Sequence, residues 1–571
     1  MHNQAISQRL REIAAILEMK GVDFKPRAYR KAARRVESLG EDVEAVHERG
    51  DLTDIEGVGD SIASKIAEFL ETGEMSYYRE LKSEYSVDVM ALTTVEGIGP
   101  ERAAEFYEEL GVEDLTDLQE AAENGAIADL EGFGEQLQAN IDDHIELAER
   151  SQERTPIGRA FDRATEIHEH LAAEAAFDRV RLVGSFRRRR PTIGDVDVLA
   201  TAPDPESAMD AFSEQEAVEE VLARGGTKSS VLLPGGLQVD LRIVDDTEFG
   251  AATVYLTGSV DHNVALRERA QDRGWKLNEY GLFDISDTAD DGQHAGDRLA
   301  GKDETGVYDA LGLVCPPPEL RENTGELDAA ADEELPDLVE LDDIRGDLQL
   351  HTTVSDGANS LREMAERAAE LDREYMLVTD HGPTLDVTEG LDDDAFDEQR
   401  ETVADVNDDV DVEVLHGVEA DITEDGLGVP DRWCDAVDLL VVAMHDPPED
   451  PTERLVSVLQ NYPADIVAHP LNRQINDREP MDLDLPRVAE VASDEDVALE
   501  INAQPERLDL DWYNVKQHRD DVSYVVSTDA HDTSELGALH LGVSQARRGW
   551  CETENILNTR PLDDLMAAFG R

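Results

Sequence analysis

Two strand-like stretches bring three carboxylates into reach of one another. In Gly184-Ser185-Phe186-Arg187-Arg188-Arg189-Arg190-Pro191-Thr192-Ile193-Gly194-Asp195-Val196-Asp197-Val198-Leu199, two small residues and an arginine run lead into Asp-x-Asp. Side chains two apart on a strand face the same way, so Asp195 and Asp197 project together while Val196 and Val198 turn to the core. In Leu237-Gln238-Val239-Asp240-Leu241-Arg242-Ile243, apolar and polar residues alternate, which sets Asp240 on the polar face with Gln238 and Arg242. Hard oxygen ligands in that number suit Mg²⁺ or Mn²⁺ better than zinc. They are the layout of two-metal phosphoryl transfer, one ion activating an attacking oxygen and the other holding a triphosphate and the leaving oxygen. Gly184 lets a phosphate approach the backbone, and Ser185 and Arg188 can donate hydrogen bonds to it. An isolated Asp-x-Asp in an acidic chain reads as a solvated strand; the preceding Gly-Ser and the third Asp on a later strand favour the metal site.

A second set of ligand types closes the chain. Seven short apolar runs end in metal-binding residues: Asp347-Leu348-Gln349-Leu350-His351, Met376-Leu377-Val378-Thr379-Asp380-His381, Val412 to Glu419, Leu439 to His445, Ile466-Val467-Ala468-His469, Val497 to Asn502 and Tyr524 to His531. Successive endings fall roughly 25 to 40 residues apart, the length of a βα unit. The pattern predicts a seven-stranded β/α barrel, in which functional residues gather at the C-terminal ends of the strands. His351, Asp356, His381, Glu419, His445, His469, Asp529 and His531 would then meet on one face. A single His after a strand reads as a core or loop residue, but eight ligand types in register read as a site. Such a mixed set suits Mn²⁺ or Zn²⁺, whose bound water is acidified for phosphodiester hydrolysis.

The elements before the first site are helical. Ile6, Leu10, Ile13 and Leu17 recur at helical spacing. Lys25, Arg27, Arg30, Lys31, Arg34 and Arg35 form a basic cluster beside Tyr29. Gly57 and Gly59 in Glu56-Gly57-Val58-Gly59 form a hairpin that opens a helix, exposing backbone N–H groups suited to a DNA phosphate. One Gly-x-Gly reads as a tight turn. Gly97 and Gly99 in Glu96-Gly97-Ile98-Gly99-Pro100 repeat it, and Glu131-Gly132-Phe133-Gly134 echoes it, so helix-hairpin-helix modules are expected.

Gly184-Ser185, Arg188, Asp195-x-Asp197 and Asp240 resemble the nucleotidyltransferase palm of family X DNA polymerases, and the seven-run region resembles a PHP (polymerase and histidinol phosphatase) domain. The resemblance covers nearly the whole chain. It implies a multidomain α+β and α/β protein: an N-terminal lyase-like helical domain at 1–85, a duplex-binding helix-hairpin-helix subdomain at 86–155, the palm at 156–250, a thumb-like subdomain at 251–315, and the PHP domain at 344–571. The prolines of 316–343 read as a linker. By the same resemblance, Gly184, Ser185, Arg188 and Gly194 bind triphosphate, and Tyr255 and Gly258 in Tyr255-Leu256-Thr257-Gly258-Ser259 lie near the sugar. Asn263 and Arg267 contact the nascent pair from the minor groove, and Gly250-Ala251-Ala252 and Asn278 to Leu282 continue the match. Asp195 and Asp197 would hold both ions, with Asp240 helping to activate the primer 3′-OH. Lys25 and Tyr29 match a 5′-phosphate pocket, and Lys65 falls at the Schiff-base lysine of 5′-deoxyribose phosphate lyases; a solvated helix lysine is the other reading. Departures are Ser61 where a lysine is expected, Leu256 where Phe is common, and Gln349 at the first His of the PHP motif. Gln offers a carbonyl oxygen but no imidazole nitrogen. The Asp287 to Gly306 stretch reads as an acidic loop insertion.

The implied function is gap-filling DNA repair synthesis on gapped or primed DNA with dNTPs and Mg²⁺ or Mn²⁺, alongside 3′-5′ exonuclease or end-processing activity in the barrel. The alternatives are a PHP phosphoesterase with a non-catalytic polymerase-like region, and a DNA-tethering module that needs neither metal site. Composition bounds these readings. The 571 residues leave room for three or more domains. Against 51 Lys and Arg stand 131 Asp and Glu, a formal charge of −80, yet 40% of residues are apolar, which excludes disorder. Lys occurs only nine times, and the whole is similar to proteins from the molar-salt cytoplasm of halophilic archaea. Acidity ordinarily argues against nucleic acid; here it solvates the outer surface and leaves local basic patches. Three scattered cysteines, Cys315, Cys434 and Cys551, exclude a disulfide framework. With no apolar run of membrane length and no signal peptide, a cytoplasmic monomer with no membrane partner is expected.

Overall fold

Ile6, Leu10, Ile13 and Leu17 line the buried face of α1 (His2–Met19), as their spacing requires. The chain continues through α2 (Lys25–Glu37), α3 (Asp60–Thr72) and α4 (Pro100–Leu110) around one shared core. This computed structural model describes residues 2–571 apart from 23, 38–42, 56, 73–74, 94–97, 125, 128–129, 131–153, 288–291, 385–389, 425 and 449. Gly57 takes φ +86° in the hairpin before α3, a region that L side chains rarely adopt, with the Lys31 side chain packed over it. Gly97 and the hairpin at Glu131 to Gly134 lie outside the described residues.

A five-stranded sheet follows α5 (Ile157–Ala173) and carries the first site. Its strands are β1 (Arg179–Leu182), β2 (Val196–Thr201), β3 (Glu220–Arg224), β4 (Lys228–Leu233) and β5 (Leu237–Ile243), with the turn α6 (Gly184–Arg187) between β1 and β2. Their order is β1-β2-β5-β4-β3. Only β2 and β5 pair in parallel, and their register sets Asp197 opposite Asp240. Val196, Val198, Val239 and Leu241 pack beneath, so the two-residue period buries one face and leaves the carboxylates on the other.

Next come α7 (Phe249–Thr257), α8 (Val260–Gln271) and an antiparallel sheet of β6 (Trp275–Asn278), β7 (Gly281–Asp284) and β8 (Asp297–Ala300). Two expectations change here. Within the stretch expected to be an acidic loop insertion, Asp297–Ala300 pairs as β8 with β7, and Glu304 starts a helix capped by Asp303, whose side chain accepts the Gly306 amide, while the Glu304 carboxylate gathers Arg187 and Arg321. Residues 316–343 are not a free linker. Arg321 and Glu326 are fully buried, Glu326 accepts the Asn323 and Thr324 amides, and the Val339 amide bonds to Cys551. Proline content signals a spacer, but packing partners distant in sequence override it.

The C-terminal unit is a barrel of seven parallel strands: β9 (Gly346–Leu350), β10 (Tyr375–Val378), β11 (Glu413–Thr423), β12 (Leu439–Ala443), β13 (Ile466–Val467), β14 (Ala498–Asn502) and β15 (Tyr524–Ser527), adjacent in that order. A parallel bridge from Leu350 to Ala530 brings β9 back beside β15, so the barrel is nearly closed. Every residue of β9, β10, β12, β14 and β15 is buried, which explains the mainly apolar runs of β10, β12 and β15, while β9 and β14 also bury Asp347, Gln349, Glu500 and Asn502. The outer helix α9 (Leu539–Arg548) ends against the five-stranded sheet's unit.

Candidate active sites

In the first site, one carboxylate oxygen from each of Asp195, Asp197 and Asp240 lies within 4.8 Å of the others. Asp195 sits one residue before β2 and so joins Asp197 on the same face. Burial, then the charges of Asp195 and Asp240, pushes the Asp197 carboxyl up to about 7; burial and Asp240 also raise Asp195. Three crowded, partly desolvated hard carboxylates are a donor set for a divalent oxygen-seeking cation. On the protein side, Lys228 Nζ lies 2.9 Å from Asp240 Oδ2, and Gln238 Nε2 donates to Asp240 Oδ1 at 2.9 Å. Gly184 has φ +67°, and any Cβ there would collide with Asp197 Oδ2, so only glycine fits beside the cluster.

The expected nucleotide contacts lie on α6, α7 and α8, in the turns that follow α6 and α7, and directly before Asp195. Ser185 is half-buried on α6, and Gly194 directly precedes Asp195. Arg188 is not open to solvent: Nε donates to Glu322 Oε1 at 3.0 Å and Nη1 to the Thr257 carbonyl at 2.7 Å. Tyr255 is exposed at the end of α7. Asn263 Nδ2 donates to the Tyr255 and Gly258 carbonyls at 2.7 and 3.1 Å, and Arg267 Nε to the Asn263 carbonyl at 3.2 Å. Those bonds tie the Tyr255 to Gly258 turn to α8.

In the barrel, the eight expected residues meet at the strand ends. Glu419 is central: its Oε1 lies 3.1 Å from His469 Nε2 and 3.5 Å from His445 Nε2, and its Oε2 lies 3.2 Å from His351 Nε2 and 3.4 Å from His381 Nδ1. Asp356 Oδ2 lies 3.4 Å from His381 Nε2 and 3.5 Å from His531 Nε2, and Asp529 Oδ1 lies 3.1 Å from His351 Nε2. Three overlapping groups each keep their ligand atoms within 4.8 Å: His351, Asp356, His381 and His531; His381, Glu419 and His445; His351, Glu419 and Asp529. Gln349 is fully buried, with Nε2 3.4 Å from Asp529 Oδ1 and no hydrogen-bond partner for Oε1 among the described residues. The donor set therefore fits a cluster of borderline divalent cations, with an oxygen donor where the PHP motif has an imidazole. Burial would lower His351, but Asp529 and Glu419 raise it well above the ordinary range. Burial and then Arg507 hold His469 down at about 4, so its imidazole is neutral. His469 (φ +27°) and Asp529 (φ +53°) sit in the left-handed region, strain that is characteristic of functional strand ends.

In the helical domain, Lys65 Nζ donates to the Ser61 carbonyl at 2.8 Å and lies 4.8 Å from the centre of the Tyr77 ring. Burial, then the nearby charge of Lys25, lowers its pKa. Tyr29 stacks on Tyr77 at 6.3 Å and is buried, which pushes its phenol up to about 12; Lys25 is exposed. Gly59 and Gly99 directly precede α3 and α4.

Several positioning residues escaped the motif reading. Glu500 Oε2 accepts the His469 amide at 2.6 Å, and Asn502 Nδ2 donates to Glu500 at 3.1 Å and to Asp529 at 3.0 Å. Asp421 Oδ1 lies 3.2 Å from His445 Nδ1. Asp380 accepts from Thr352 N, Thr352 Oγ1 and Gln399 Nε2, fixing the turn before His381. A lone Glu or Asn inside the apolar run Val497 to Asn502 is the available signal, since a buried charge needs a reason.

Known families align with this layout. A helix-hairpin-helix domain profile matches residues 1–75, a SAM-like helix-hairpin-helix tandem 89–141, the DNA polymerase beta thumb 252–322 and the PHP domain 347–504. The DNA polymerase/3′-5′ exonuclease PolX of Bacillus subtilis (strain 168) is 35% identical over 581 residues, covering 100% of both chains. DNA polymerase lambda of Rattus norvegicus is 28% identical over 346 residues, 56% of each chain, and that of Arabidopsis thaliana 24% over 338 residues, 54% of this chain and 60% of its own. Similarity along the full length of a relative, with hairpin, thumb and PHP matches in the order the fold lays them out, makes this chain a member of the family X DNA polymerases that carry a C-terminal PHP domain.

Proposed function

We propose that this chain is a template-directed DNA polymerase that adds dNTPs to primer 3′ ends in short gaps during DNA repair, and that its barrel trims DNA ends as a 3′-5′ exonuclease. The convergence of Asp195, Asp197 and Asp240 within 4.8 Å beside the Gly184 cradle carries this reading. Bound divalent ions, Mg²⁺ or Mn²⁺ held by Asp195 and Asp197 and Mn²⁺ or Zn²⁺ in the barrel, would acidify the attacking oxygen and offset phosphate charge. Asp240, fixed by Gln238 and Lys228, is suited to steer the primer hydroxyl. Gly184, Ser185, Arg188 and Gly194 face the triphosphate, Tyr255 and Gly258 the sugar, and Asn263 and Arg267 the minor groove. Lys25, Tyr29 and the hairpin glycines would take the DNA backbone. Lys65 would act as the lyase nucleophile, for which its lowered pKa favours the neutral amine. The protein would work as a cytoplasmic monomer; among the described residues, no helix is long and apolar enough to cross a membrane.

Protons compete with metal ions for carboxylates. Because Asp197 is raised to about 7, it is mostly protonated at pH 6 and ionised at pH 8. Incorporation at limiting Mg²⁺ should therefore fall roughly tenfold from pH 8 to pH 6, and saturating Mg²⁺ should restore most of it. Equal losses at both Mg²⁺ levels would detach the pH effect from this cluster.

The proposal as a whole is tested on a gapped duplex with dNTPs and Mg²⁺ or Mn²⁺, following both primer extension and shortening across a KCl titration. Phosphate contacts alone would weaken steeply with salt. With a formal charge of −80 the surface is expected to be solvated by salt, and activity to persist in molar KCl. A maximum only at low salt would contradict the halophilic reading, and no extension at any salt would contradict the polymerase.

A further inference from the structure

We propose that Arg548, on the barrel helix α9, is a positioning residue for the polymerase centre: it shares the buried carboxylate of Glu322, so that Arg188 can leave that carboxylate for the incoming triphosphate. This rests on the polymerase reading of the palm. Glu322 joins three guanidinium groups from two other parts of the chain. Its Oε1 accepts Arg188 Nε at 3.0 Å and both Arg548 Nη1 and Nη2 at 3.2 Å, and its Oε2 lies 3.5 Å from Arg190 Nη1. Arg548 is 1% exposed and Glu322 7%. From the barrel side, Arg548 is fixed over the Trp512 ring at 4.7 Å, and its Nη1 also donates to the Arg188 carbonyl at 2.5 Å.

A buried carboxylate stripped of its cation is strongly disfavoured. If Glu322 had Arg188 alone, turning Arg188 toward phosphate would strand that charge. With Arg190 and Arg548 in place, Glu322 stays paired after Arg188 departs. Arg188 is also the arginine that bonds the Thr257 carbonyl, at the turn where the Gly258 carbonyl accepts from Asn263 of α8. The barrel thus reaches the nucleotide side of the palm through one carboxylate, independently of its own metal-binding residues.

Single-nucleotide gap filling by the full chain tests this. Arg548→Ala should raise KM for the incoming nucleotide roughly tenfold with kcat changed less than about twofold, and should leave barrel nuclease activity on single-stranded DNA unchanged. Adding Glu322→Gln should restore KM, because the neutral amide no longer retains Arg188. Should Arg548→Ala fail to fold, Arg548→Lys keeps the charge and loses the fork, and should show a smaller rise, again reversed by Glu322→Gln. An unchanged KM in the folded variant, or a rise that Glu322→Gln does not reverse, overturns this inference alone. A wild-type chain that incorporates no nucleotide overturns the polymerase reading and the inference with it.

Discussion

Replacing Asp240 with Ala is expected to lower kcat/KM for nucleotide incorporation by at least about 10³-fold and to leave 3′ end shortening by the barrel at the wild-type rate. Asp240 is buried, faces Asp197 across the parallel β2-β5 register, and is held by Gln238 and Lys228. Removing it takes away one of three converging oxygens and leaves Lys228 beside the two that remain. Asp240→Asn separates charge from shape: the amide keeps the volume and one acceptor for Gln238, so an equally large loss assigns the effect to the negative charge. The two sites lie on separate sheets and share no side-chain ligand, and changes at sites without shared partners usually add. Incorporation that survives Asp240→Ala would remove this residue from the catalytic set.

His469→Ala should do the converse, reducing shortening of single-stranded DNA by at least about 10²-fold with gap filling unchanged. His469 contacts Glu419 Oε1, the carboxylate at the centre of the cluster, and burial and Arg507 keep its ring neutral and fit to bind metal. Its amide is received by Glu500 and its φ is +27°, so a change here could also disturb the strand end. His469→Asn guards against that, since Asn tolerates left-handed backbone. A nuclease that survives both substitutions would place hydrolysis outside this cluster. A nuclease lost together with gap filling would point to misfolding, which thermal melting of the variants would reveal.

Much of this was legible in the sequence because two periodicities are simple. Alternation at Leu237 to Ile243 and around Asp195-Val196-Asp197 marks half-buried strands, and the structure brings those three carboxylates together. Fully buried parallel strands leave short, mainly apolar runs, so their ends, and the residues from His351 to His531 that sit there, can be counted directly. Ion pairs between distant elements leave no period at all. Arg188 and Glu322 are 134 residues apart and Arg548 and Glu322 are 226 apart, and neither pairing is visible in any local pattern. The same reason hides Glu304, which folds the expected acidic loop onto Arg187 and Arg321, and Glu326, which packs the expected linker. Glu500 and Asn502 lay in view within an apolar run, but their task of orienting His469 and Asp529 depends on two neighbouring strands.

The most direct test is crystallographic: the chain bound to a one-nucleotide gapped duplex and a non-hydrolysable dNTP, with anomalous scattering recorded from Mn²⁺. Two peaks ligated by Asp195, Asp197 and Asp240 beneath the triphosphate are the expected result. Nucleotide and DNA bound with Mn²⁺ confined to the barrel, and Asp240 still paired with Lys228 and Gln238, would contradict the synthetic role.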